Sequence, residues 1–301
     1  VVLDVSVKEG RTVIVLRSCL TIENYTAMDT DVFVDTDASA PSGGLCIGVA
    51  KAMGGRVSLP LLMDHLNDIR IRPHTPTTKA ADEGSRGGYE GKSGGGREDR
   101  EDGEDSLRYG WSGPIICDTT FATASQVAEC QLKGSPTFHV SVSRSSNRGL
   151  TVPLPGGGHR EERVMCIAPT ATLRNLLPCT VQYAIQTVDR GTGGRRGAGG
   201  GQEAMVEVGR GLVRAGHTVS LFGVHPQLKP RLYVHMAGFE WGGGLSLDVP
   251  QQTVELRRSG EGREEQARLT LLVEVDEVVP GSLQVSLEVR HWLCNRSGLP
   301  L

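Results

Sequence analysis

The eight residues Leu283-Gln284-Val285-Ser286-Leu287-Glu288-Val289-Arg290 put an apolar side chain at every second position. An extended chain turns successive side chains to opposite faces, so this is the pattern of a strand with one face buried and the other wet. Shorter runs repeat it: Phe138, Val140 and Val142; Val181, Tyr183 and Ile185; Leu45, Ile47 and Val49; Leu245, Leu247 and Val249. Helical spacing is rare, and its best place is a turn or two around Leu61 to Leu66. The chain is expected to be all-β, with antiparallel strands packed as sandwiches.

The same stretch belongs to an internal repeat. VIVLRSCLTIEN (13–24) and VMCIAPTATLRN (164–175) align without a gap, and VSLEVRHWLCN (285–295) is a third copy. Counting back from each terminal asparagine, positions ten, eight and two are Ile14, Leu16 and Ile22; Met165, Ile167 and Leu173; Val285, Leu287 and Leu293. All are apolar at even spacing, so each asparagine is expected to end or bend a strand whose even-offset face is buried. The echo continues downstream. Gly55-Arg56-Val57-Ser58-Leu59 answers Gly216-His217-Thr218-Val219-Ser220-Leu221, and a short strand follows each (Ile69 to Ile71; Leu232 to Val234). A glycine-tryptophan element comes next in both, Gly110-Trp111-Ser112 and Gly238-Phe239-Glu240-Trp241. Repeats of this length are domain-sized modules. The expected layout is a β module over 1–150, a second over 151–282, and the first strand of a third over 283–301. Opening on the run Leu3, Val5 and Val7 and stopping just after an apparent strand, the sequence reads as a piece of a longer polypeptide.

Composition supports a folded chain with inserts. Of its 301 residues 38% are apolar, the formal charge is -3, and nothing approaches the length of a membrane-spanning apolar helix. A chain without basic excess is not built to hold a phosphate backbone, which argues against nucleic acid as a partner. Nineteen of the 40 glycines fall within 84–110, 156–158 and 191–201. Residues 75–108 carry six basic and nine acidic side chains and little to bury, and 189–203 are similarly glycine-rich. Such stretches are expected to be loop inserts, since they cannot offset their own ordering entropy. The seven cysteines are odd in number and form no CxxC, which favours free thiols and a reducing compartment over a disulfide scaffold.

The sequence assigns no catalytic residue, metal ligand or cofactor. Gly91-Lys92-Ser93 resembles the end of a phosphate loop, but Arg86 stands where the earlier glycine is required. Gly91 to Gly95 also matches GxSxG, without the strand and helix that strain a nucleophile elbow. The eight histidines show no zinc spacing; His235 alternates within a strand and is expected to face solvent. Glu274 and Asp276 share a strand face and read as a charged sheet edge. The two sequons at Asn24 and Asn295 carry little weight as chance-length matches. Asn24, Asn175 and Asn295 are the special positions. An asparagine that bonds the backbone two residues on suits a strand-to-turn corner, and a row of such corners could also shape a binding surface.

The strands RSCLTIENYT, APTATLRNLLPCTVQYAI and HWLCNRSGLPL, with the elements GWSGPI and GFEWGGG, resemble the adaptor-binding region of the vacuolar protein sorting-associated protein 13 family. The likeness runs from about residue 10 to the end, inserts apart, and Cys19 stands where that family carries proline. Asn24, Asn175 and Asn295 match the family's signature asparagines. The resemblance implies a row of β-sandwich modules in a long, bridge-like lipid-transfer protein. There the modules dock Pro-x-Pro peptides of organelle membrane adaptors, placing the protein in the cytoplasm, peripheral at membrane contact sites. Its partners would be those peptides and the rest of the same chain, with no transmembrane insertion. Two other readings stay open: modules that only space other parts apart, and a secreted glycan-binding β-sandwich.

Overall fold

A computed structural model describes residues 2–17, 20–35, 44–59, 68–75, 108–116, 125–132, 134–153, 159–188, 205–259 and 268–290. Asn295, the glycine-rich inserts and the helical candidate around Leu61 to Leu66 lie outside the described residues. The described chain is nearly all strand. It opens with a two-stranded antiparallel hairpin, β1 (Val2–Lys8) and β2 (Arg11–Arg17).

Nine strands follow: β3 (Leu20–Asn24), β4 (Thr30–Asp35), β5 (Gly44–Ala50), β6 (Gly55–Ser58), β7 (Asp68–Pro73), β8 (Ile115–Ile116), β9 (Gln126–Cys130), β10 (Phe138–Pro153) and β11 (His159–Pro169). Nine more complete the described chain: β12 (Ala171–Asn175), β13 (Val181–Val188), β14 (Met205–Val213), β15 (Thr218–Ser220), β16 (Arg231–Met236), β17 (Gly242–Ser246), β18 (Gln251–Arg257), β19 (Arg268–Val279) and β20 (Ser282–Glu288). The first nine form a five-stranded sheet ordered β6-β3-β11-β10-β9 and a four-stranded sheet ordered β5-β4-β7-β8. The second nine form β15-β12-β20-β19-β18 and β14-β13-β16-β17. Adding nine to every label of the first pair gives the second. One topology is written twice.

Register agrees with topology. In each unit the opening strand runs parallel to the closing one, with Asn24 opposite Ile167 and Asn175 opposite Leu287; the other pairings within the sheets are antiparallel. The inner faces of the two sheets meet in an apolar core. Ile22, Val32, Val34, Ile69, Ile71, Val140 and Ile167 fill the first, and Leu173, Val181, Leu232, Val234, Leu256, Leu271, Val273, Val285 and Leu287 fill the second. Alternation in β7 and β16 shows how sequence chooses the faces: Ile69 and Ile71 are buried between half-exposed arginines, as Leu232 and Val234 are around Tyr233.

Several expectations change. The ladders phase the repeat differently from bounds at 150/151 and 282/283, because the motif at 164–175 spans two strands, β11 closing the first unit and β12 opening the second. The joint between units falls at Thr170, between β11 and β12, and 282–288 close the second unit. Ile14 is 61% exposed, whereas its counterparts Met165 and Val285 are buried, because no second sheet faces β1 and β2 among the described residues. Leu247 and Val249 lie in a turn after β17, held by the Gln252 side chain on Ser246 and Val249. Glu274 lies on β19 between partners on β18 and β20, whereas Asp276 is exposed beyond the end of the β18 ladder, where β19 borders its sheet. Among the described residues no helix is long and apolar enough to cross a membrane.

Candidate functional site

Asn24 and Asn175 occupy the same place in the two units. Each ends the opening strand, is fully buried, and bonds backbone through both Nδ2 and Oδ1, Asn24 Oδ1 accepting from the Thr26 hydroxyl as well. Asn24 Nδ2 donates to Met28 O (2.7 Å) and Ala50 O (2.9 Å), while Oδ1 accepts from Thr26 N (2.9 Å). Asn175 Nδ2 donates to Cys179 O (2.7 Å) and Val213 O (3.0 Å), and Oδ1 accepts from Leu177 N (3.0 Å). The offsets are identical: two and four residues onward, then the last residue of the third strand of the unit. Backbone bonds repeat too, with Gly54 N on Asn24 O and Gly216 N on Asn175 O. The amide therefore ties the corner between sheets to the strand that passes beneath it. Because the side chain is enclosed and saturated, it offers nothing to a ligand, and Asn24 in its sequon cannot receive a glycan in the folded chain.

The glycine-tryptophan elements supply an accessible feature instead. Gly110 N donates to Gln131 O (2.8 Å), and Glu240 N donates to Arg257 O (2.7 Å). Gln131 and Arg257 each stand one residue beyond equivalent buried positions, Cys130 and Leu256, so Trp111 and Trp241 are counterparts. Both lie on the outer face of a four-stranded sheet, against the same position of its third strand. Arg72 stands over the Trp111 ring, 4.2 Å from its centroid, and His235 lies 5.2 Å from that of Trp241. Phe33 (5.0 Å) completes the first stack and Arg210 (5.5 Å) the second. Cations over indole faces are attracted by the ring quadrupole. Each arginine is held by a carboxylate, Arg72 by Asp31 (3.0 Å) and Arg210 by Glu207 (2.8 Å). That hydrogen bond keeps the Glu207 carboxyl below its usual range. His235 thus packs on Trp241 with its Nδ1 enclosed and unpartnered, rather than facing solvent.

Trp111 also lines a groove of about 530 Å³, together with Gly110, Gly113 and strand residues Gln126 to Glu129 and Gln131. The strand is β9, the border of its sheet. The glycines leave the groove floor open, and Ser112 pins the element by donating its N–H to Ile71 O (2.9 Å) and accepting from Ile71 N (3.1 Å). A second hollow, about 450 Å³, lies in the other unit among Pro226, Pro230, Pro250 and Leu283.

Among the described residues no group of three or more His, Cys, Asp or Glu side chains could hold a metal. Cys46, Cys130, Cys166 and Cys179 are free thiols, and burial pushes Cys130 up to about 12. Sequence reasoning found the asparagines by their repeat and the tryptophans as family-like elements. It missed the stacked groove, because Arg72 and Phe33 are brought to Trp111 only by the sheet. No family model matches the chain, and no curated protein matches it significantly.

Proposed function

We propose that this chain is a non-catalytic peptide-docking region, an adaptor-binding part of a bridge-like lipid-transfer protein of the kind its sequence resembles. The observation that carries the reading is the groove between Trp111 and the border strand β9. A border strand offers backbone groups to an added extended segment. Proline-rich segments are already extended and lay their rings on aromatic faces. Proline also lacks the N–H that would recruit a further strand, so addition stops after one peptide. In this reading the ligands are Pro-x-Pro segments of organelle membrane adaptors, met in the cytoplasm at membrane contact sites.

Titration with a Pro-x-Pro peptide tests it. Binding should saturate, vanish when both prolines become alanine, and weaken by about tenfold or more in Trp111→Ala, as expected for an aromatic anchor. Saturable binding that ignores the prolines would remove the reading. A second reading, spacer modules without a ligand, draws on the asparagine corners, which are spent wholly on the fold. Absence of all peptide binding by a folded chain would favour it.

A further inference from the structure

The two units meet through side chains that the docking reading does not use. Phe138 of the first stacks on Phe222 of the second at 4.5 Å, and His139 N donates to Phe222 O at 2.8 Å. Ser141 Oγ donates to Pro280 O (3.0 Å), and Ser282 Oγ donates to Pro169 O (2.6 Å). Beside them His139 and His225 face each other edge to face, 5.2 Å apart, with Glu129 between their Nε2 atoms and solvent. The Glu129 carboxylate is 3.2 Å from His225 Nε2 and 3.8 Å from His139 Nε2.

The hydrogen bonds set the protonation state of this cluster. Gln227 N donates to His225 Nδ1 (3.2 Å), so that nitrogen is an acceptor and the proton sits on Nε2, aimed at Glu129. His139 is 7% exposed, and its Nδ1 has no partner. A charge on it would be buried with nothing at that nitrogen to receive it. Among the described residues, the ionisable groups whose fields reach His139 are Glu129 from β9 and His225 from the second unit; burial is the larger influence and holds it below its ordinary value. The Glu129 carboxylate is 46% exposed and 3.8 Å away, so solvent screens most of the help it could give a charge on His139.

We propose that the joint between the two units is a pH-responsive hinge, closed while the buried His139 is neutral and loosened when acid protonates it. The sign follows from linkage. A histidine held low in the closed joint adds stability to it above the ordinary histidine value of about 6.5, and that stability is lost as pH falls. If one such histidine takes its proton only in the open form, opening becomes about tenfold more favourable between roughly pH 7.5 and 5.5.

Amide hydrogen exchange on the whole chain without peptide reads this directly, and so keeps it apart from docking. The His139 amide bonds across the joint, whereas the Leu177 amide bonds within the second unit. After correction for intrinsic exchange, protection at His139 should fall about tenfold from roughly pH 7.5 to 5.5, with Leu177 unchanged. The double substitution His139→Gln with His225→Gln should flatten that response. Equal protection of His139 at both pH values in the unsubstituted chain would overturn the proposal even if the variant failed to fold. So would a pH response surviving in the double variant.

Discussion

At the scale of single residues, the corner asparagines are the most constrained groups in the chain. Removing one amide strands two carbonyls and an N–H in the interior. Asn175→Ala should therefore destabilise the second unit by about 2–4 kcal/mol, measured by denaturant unfolding. Asn175→Asp is the sharper probe. It keeps the acceptor for Leu177 N but sets an oxygen against Cys179 O and Val213 O, so it should cost at least as much near neutrality. An aspartate variant as stable as the parent would deny the amide its role. Cysteine reactivity is a second residue-scale expectation. Cys130 is enclosed, donates its thiol hydrogen to Ile71 O (3.3 Å) and has its pKa pushed up to about 12, whereas Cys46 is exposed. A thiol reagent should label Cys46 in the folded chain and reach Cys130 only on unfolding. The asparagines were legible in sequence because a short-range turn bond leaves a fixed local signature. Their partners Ala50 and Val213 were not, being 26 and 38 residues away on a strand of the other sheet.

At the scale of elements, alternation found most strands and their buried faces, since period two is a local property. It could not find which strand borders a sheet or which closes a unit, because those depend on non-local pairing. β19 shows the gap: its charged face reads as one edge, yet β18 flanks Glu274 and stops short of Asp276. The motif repeating at 13–24, 164–175 and 285–295 shows it again, since a repeat can be phased anywhere along its period until the ladders fix the joint. The turn between β19 and β20 carries a prediction. Gly281 has φ +77°, and a Cβ there would collide with Ser125 Oγ and Ser141 Oγ of the first unit. Left-handed torsion and this approach both require glycine. Gly281→Val should open the joint, raising exchange at the His139 amide, while Leu177 stays protected.

At the scale of the whole molecule, one nine-stranded sandwich occurs twice, with its asparagine corner and its stacked tryptophan in equivalent places. The copies differ in surroundings. Trp111 sits over a groove against β9, while Trp241 is 43% exposed and flanked by histidine and arginine. Equivalent tryptophans with unequal settings are expected to bind unequally, Trp111→Ala costing more peptide affinity than Trp241→Ala. Glu129 belongs both to that groove and to the histidine joint, so acid should also be felt at the groove. The most direct measurement is a residue-resolved spectral titration of the 301-residue chain with a Pro-x-Pro peptide. Saturable shifts are expected at Trp111 and along Gln126 to Gln131, absent with the alanine peptide. Shifts clustered away from Trp111 and β9, or none in a folded chain, would contradict docking at the groove.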